Sequence, residues 1–314
     1  MRGYPDPSVV RAVLAGLAVG EAYGLPSSLA GEALPSLQPL ELGGVAAYGA
    51  ATEQALLLAE VLADNCGFNP EDFARRLAVN ADVDNPVRLY SLATAEHVML
   101  VRRGYNWTEA RSLVASLEPP LDAVARSTPI PLFYTKERLV AEMAAAQVLA
   151  TSLDRRASTA ARSYALILYY TLRGLPPAEA VEEAATQTPR QGLRDALYAA
   201  VDAASQAPER ATRILSQPGD PLARLLAASA ASLLAAESRN PMDALKVAVA
   251  VAPSQAAHLA AAMAGALLAA AGYRLEQPRL EAEPRLAEAA SRLAAANARC
   301  RGLNATEAHD SITA

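Results

Sequence analysis

Four of the chain's five Asp-Pro and Asn-Pro pairs stand at the head of an apolar, helix-period run: Asp6-Pro7, Asn69-Pro70, Asp220-Pro221 and Asn240-Pro241. Each pair is a helix start. The side-chain oxygen accepts one of the orphan N–H groups of a first turn, and the proline has no N–H to lose and a φ already suited to helix. Asp72 and Asp243 fall in two of those first turns, where a carboxylate suits the helix dipole. Asn106 with Glu109 three residues on resembles a capping box. From such starts, apolar periodicity predicts helices over 7–23, 52–65, 70–80, 87–104, 107–117, 136–152, 156–173, 177–187, 189–204, 208–216, 220–237, 241–251, 255–272 and 284–299. Strand signals are almost absent. The segments 25–51 and 118–135, rich in Pro or Gly, read as loops, and long loops are often functional.

Alanine explains how so many helices can share one core. It supplies 74 of 314 residues, and its small side chain lets helix axes approach closely. Charged residues make up 19%, below the usual ~25%, so much of the chain is expected to be buried and a disordered chain is excluded. The reading is one all-α domain over 1–301, with a polar tail at 302–314. The most apolar stretch, 256–272, is interrupted by His258 and is shorter than the ~20 residues of a membrane span, so it reads as a core helix. A net charge of −5, with the 26 arginines spread thinly, argues against nucleic acid as a partner. No signal peptide is visible, and a cytoplasmic location is expected. Cys66 and Cys300 read as two reduced, buried thiols, with a disulfide between them as the alternative.

The generic phosphate, zinc-protease and serine-hydrolase motifs are missing. Gly16, Gly20 and Gly24 form a GxxxGxxxG, which marks close helix packing or, alternatively, an approach to phosphate. The segment running from Gly16 through Gly20, Glu21 and Gly24 to Pro26 resembles the G-x-x-x-G-D-A-x-G-x-P opening of the ADP-ribosylglycohydrolase family. Ala50-Ala51-Thr52 and the helix after it resemble the family's T-D-D-T segment. Ala256-Ala257-His258-Leu259, followed by Ala264-Gly265-Ala266-Leu267, resembles its G-G-D-x-D-T segment and A-G-A-L helix. The order and spacing match over about residues 8–275.

The resemblance implies a compact all-α fold of many helices around a central cleft. There, two magnesium ions on carboxylates and a threonine would orient a ribose and activate a water. In this chain the metal-binding aspartates fall on Ala50, Ala51, Ala256 and His258, while Thr52 is kept. The family's closing glutamate falls on Ser28, and the aspartate after Gly20 becomes Glu21. The G-N-G-x-x-M-R loop falls at 122–128, where the comparison recovers neither its glycines nor its arginine. No metal ligand set is therefore assigned and no cofactor is expected.

The expected role is that of a metal-free, non-catalytic member of the family, binding or structural. Its ligand would be an ADP-ribose-like small molecule or a protein, and a homo-oligomer is a further expectation. The expected vestigial cleft comprises Ser28, Ala50, Ala51, Thr52, Ser127, Thr128, Ala256 and His258. The alternative is a hydrolase with rebuilt chemistry on Glu21, Glu53 and His258, which requires those three to converge on a pocket open to solvent. Each also has a plainer reading: Glu53 as a helix-capping group, Glu21 as a hydrogen-bonded tie between loops, and His258 as a satisfied helix-start histidine.

Overall fold

A computed structural model describes residues 6–300 apart from 205, 207, 218 and 282; the expected tail and His309 lie outside these. Along the chain run α1 (Pro7–Ala30), β1 (Glu41–Leu42), β2 (Val45–Ala46), α2 (Ala50–Asn65), α3 (Pro70–Asn80), α4 (Leu92–Arg102), α5 (Trp107–Leu113), α6 (Asp122–Ala125), α7 (Ile130–Phe133), α8 (Glu137–Leu149) and α9 (Arg155–Leu172). They are followed by α10 (Pro177–Thr186), α11 (Gln191–Ala204), α12 (Pro208–Leu215), α13 (Pro221–Ala235), α14 (Pro241–Val251), α15 (Ala257–Ala270) and α16 (Glu283–Cys300). All four Asx-proline starts cap as the sequence predicts. Asp6 accepts from Ser8 N at 2.8 Å, Asn69 from Asp72 N at 3.0 Å, Asp220 from Leu222 N at 3.0 Å and Asn240 from Asp243 N at 2.8 Å.

The centre of the fold is the pair α1 and α15. Hydrophobic all round, α1 is buried by α15, α16 and α2, which is the environment such a helix requires. Its glycines form the contact. A Cβ on Gly16 would lie 2.4 Å from the carbonyl oxygen of Gly265, one on Gly20 would lie 2.0 Å from that of Ala261, and one on Gly24 would lie 2.5 Å from the Cα of His258. The GxxxGxxxG is therefore a packing stripe, met by Gly265 from the other side.

Several predicted boundaries move, among them the end of α5, at Leu113 rather than 117, and that of α8, at Leu149 rather than 152; three differences have a clear physical reason. First, α1 continues through Pro26 to Ala30. The proline strips Ala22 of its helical N–H partner, and Leu40 N takes that carbonyl at 2.9 Å. Gly31 then ends the helix in the left-handed region. Second, the predicted loop 25–51 contains the hairpin β1–β2, whose turn residues Gly43 and Gly44 both have positive φ, as a two-residue hairpin turn demands. Third, α4 starts at Leu92 rather than 87, because Ser91 caps it and the residues before it are drawn away to other partners. The predicted loop 118–135 holds the single-turn helices α6 and α7.

The reading of two reduced thiols is overturned. Cys66, at the C-terminal end of α2, is disulfide-bonded to Cys300 at the end of α16, with a Cα–Cα distance of 5.4 Å. The docking of α16 along α2 brings these ends together, a proximity that the 234-residue separation conceals. Around the same seam, Arg285 pairs with Glu60 at 3.1 Å, and Arg76 joins Asp72 and Asp64, each at 2.9 Å.

Candidate functional site

The expected cleft lies where α1, the first turn of α2, α6 and the start of α15 meet. Glu21 faces out of α1 one turn before Gly24 and is fully buried. Its Oε1 accepts from Ala51 N and its Oε2 from Thr52 N, both at 2.9 Å. The carboxylate thus caps α2, whose N-cap residue Gly49 offers no side chain of its own. Gly49 has to be glycine here, since a Cβ would lie 2.6 Å from Glu21 Oε1. Burial raises the Glu21 pKa, opposed by hydrogen bonds from Thr52, Ala51 and Gly49.

Glu53 sits one residue beyond Thr52, and its Oε2 accepts from Asp82 N at 3.0 Å and from the Tyr90 hydroxyl. Ser28, where the resemblance places the closing glutamate, has become a cap for the start of α15. Its Oγ donates to Ser254 O at 3.1 Å and accepts from His258 N at 3.0 Å, and it lies 2.9 Å from His258 Nδ1. Burial pulls the His258 pKa down to about 4, against the pull of Asp122 and the Leu89 carbonyl. Ser127 and Thr128 turn their hydroxyls back to the carbonyls of Val124 and Ala125, each at 2.7 Å, and Thr128 also meets the hydroxyl of the buried Tyr164.

The eight expected cleft positions are all buried, with Ser28, at 8% exposure, the most accessible; Ser28 and His258 are hydrogen-bonded to each other, while Ser127 and Thr128 bond within their own turn and to Tyr164. Glu21, Glu53 and His258 are buried too, and each has its own partners: α2 amides, Asp82 with Tyr90, and Ser28. Two surface cavities lie elsewhere. One, of about 550 Å³, is bordered by Leu42, Leu280 and Glu281; the other, of about 340 Å³, is bordered by Phe68, Trp107 and Met143.

What fills the centre is a polar network that the sequence reading passed over. Asp122, fully buried, accepts from Gln54 Nε2 at 2.9 Å, from Ser91 Oγ at 2.7 Å and N at 3.1 Å, and from Thr94 Oγ1 at 3.0 Å. Arg126, also fully buried, donates to Gln54 Oε1 at 2.7 Å, Gln147 Oε1 at 2.5 Å and Thr151 Oγ1 at 2.7 Å. The family comparison left the 122–128 loop without its arginine, yet Arg126 is present there and central. Burial lowers its pKa to about 10, while Asp122 holds it up. The available signal was an Asp and an Arg four residues apart in an otherwise apolar, proline-rich stretch. The remaining histidine in the described region, His97, is buried with Nε2 3.3 Å from Trp107 O, away from this network.

Comparison with known proteins agrees with this geometry. The model of the ADP-ribosylglycohydrolase family matches residues 6–301. The chain belongs to the ADP-ribosylglycohydrolase family. A solved structure described as an ADP-ribosylglycohydrolase-related protein complex is similar in fold, with a TM-score of 0.67 at 21% identity, covering 93% of this chain and 98% of that one. The all-α architecture is thus the ADP-ribosylglycohydrolase fold. No curated protein matches the sequence.

ADP-ribosylglycohydrolases use metal ions, and the donors here do not fit the magnesium pair that the resemblance implies. Such ions need several hard oxygen ligands. Ala50, Ala51 and Ala256 offer methyl groups, and both Glu21 oxygens are taken by backbone amides. Among the described residues, no three His, Cys, Asp or Glu side chains gather to hold a cation.

Proposed function

We propose that this ADP-ribosylglycohydrolase family member is metal-free and non-catalytic, and acts as a binding or structural protein. One observation carries the reading. The α2 amides of Ala51 and Thr52, beside the positions where the resemblance calls for metal-binding aspartates, are held by the buried Glu21 carboxylate. A carboxylate so engaged is already committed to capping α2, and its complete burial keeps it from a substrate. The burial of Ala50, Ala51, Ala256 and His258 supports the same reading, as does the buried Asp122–Gln54–Arg126 network. A hydrolase rebuilt on Glu21, Glu53 and His258 would need the three to open onto a common cavity, and their separate buried partners weigh against it.

The partner in this reading is a protein or a second copy of the chain. The similar solved structure is described as a complex, which supports assembly as the retained role. An ADP-ribose-like ligand is the competing partner. Calorimetric titration with magnesium, then manganese, then ADP-ribose tests the reading. No stoichiometric heat from either metal is expected; tight metal binding would overturn it.

A further inference from the structure

Residues 81–91 link α3 to α4, yet five of their hydrogen bonds reach the site. The carbonyl of Arg88 accepts Ala50 N, the first amide of α2, at 2.6 Å. Asp82 N and the Tyr90 hydroxyl both donate to Glu53. Ser91 gives its N–H and its hydroxyl to Asp122. The Arg88 guanidinium, buried and 3.9 Å from the Tyr48 ring centroid, donates to Tyr48 O at 2.5 Å and to Glu281 at 3.0 and 3.1 Å. The segment is braced within itself as well, with Arg88 N bonded to Asn85 O at 3.0 Å and Val87 N to Asn85 Oδ1 at 3.1 Å. Between the two gripping residues, Arg88 and Tyr90, stands Leu89 with a φ of +51°. A bulky side chain is rarely found in that region unless surrounding contacts enforce it.

We propose that residues 81–91 are a latch. Its closure, fastened by Tyr90 on Glu53 and Ser91 on Asp122 and carried through the constrained Leu89 backbone, is what seals the first turn of α2 and the carboxylates behind it. Two features separate a latch from ordinary loop packing. The grip is concentrated on side chains of two neighbouring residues, so it can be released without unfolding a helix. Leu89, directly before them, is held at a φ of +51°, which surrounding contacts must enforce. Leu89, Tyr90 and Ser91 are only partly buried, so release displaces little core. This inference rests on the geometry of the segment alone and does not depend on whether the chain hydrolyses anything.

Native-state hydrogen exchange on the full-length protein tests it, with Tyr90→Phe and Ser91→Ala as variants. The reporters are the amide of Ala50, bonded to the latch, and that of Leu58 in the middle of α2. Loss of one fastening hydrogen bond should accelerate Ala50 exchange roughly five- to tenfold in both variants while Leu58 keeps its wild-type protection. Unchanged Ala50 exchange in both variants would overturn the latch. So would Ala50 and Leu58 accelerating in step, because that would mean the segment opens only when α2 unfolds.

Discussion

The Glu21 carboxylate on α1 and the Thr52 amide on α2 meet at 2.9 Å in a fully buried position, and this contact joins the two helices that frame the site. Removing it should be felt as stability. Glu21→Ala leaves the Ala51 and Thr52 amides without partners and is expected to cost about 2–4 kcal/mol, read as a lower urea midpoint. Glu21→Gln keeps an acceptor and the volume, and should cost less than the alanine change.

The Gly20 contact predicts intolerance of the smallest enlargement. A Cβ there would meet the Ala261 carbonyl oxygen at 2.0 Å. Gly20→Ala gains about 1 kcal/mol of helix propensity, yet it must push α15 away, and a net loss of roughly 2 kcal/mol is expected from thermal melting. Gly192→Ala, in α11 with nothing within 4 Å of its Cβ position, serves as the control and should be neutral or stabilising.

Arg126 should be costly to remove. Arg126→Met takes the cation from beside Asp122 and leaves Gln54 and Gln147 without their donor. An uncompensated buried charge of this kind costs about 3–5 kcal/mol. Chemical denaturation of the variant measures it.

Acid should destabilise the protein in a defined window. Burial depresses both His97 and His258 to about 4, from the 6.5 of a histidine in water. Between those values the unfolded chain binds protons that the folded chain refuses, so stability falls as pH drops from 6.5 towards 4, by up to roughly 3 kcal/mol per histidine. Glu21 acts in the opposite sense. Its pKa is raised in the fold, so the folded chain binds the extra proton and acidification through that range favours folding. If the histidines dominate, urea midpoints will decline from pH 6.5 to 4, and His258→Asn will flatten the decline.

Reduction should weaken the protein without changing its fold. The Cys66–Cys300 bond closes a loop spanning most of the chain, and the chain-entropy treatment of such loops gives up to about 5 kcal/mol. Melting with and without reductant, and with Cys66→Ser, checks this. An intact disulfide suits an oxidising compartment or the interior of a heat-adapted cell, and the expected cytoplasmic location has to be reconciled with it.

Local rules made the helices legible, because Asn69 and Asn240 cap within three residues of themselves and need nothing distant. The alanines at 50, 51 and 256 were legible for a similar reason, standing at fixed offsets from recognisable segments. The contents of the site were not. Arg126 directly follows α6 and Gln147 lies on α8, Asp122 meets Ser91 from another helix start, and Cys66 finds Cys300 across most of the chain. These relations depend on how helices pack, and a single sequence carries no periodicity that reports them. The path of α1 through Pro26 was missed because its compensation, Leu40 N on Ala22 O, is itself a tertiary contact.

The marriage of α1 to α15 has a consequence for synthesis. By length and hydropathy α1 is apolar enough to cross a bilayer, and in the finished protein it is hidden by its partner. On the ribosome it is made roughly 230 residues before α15 begins, which at 5–20 residues per second is on the order of 10–50 s. For that interval a greasy, glycine-striped helix has no permanent cover. The nascent chain must therefore either find temporary shelter in a chaperone or rely on α2 to hold α1 until the last fifth of the protein arrives.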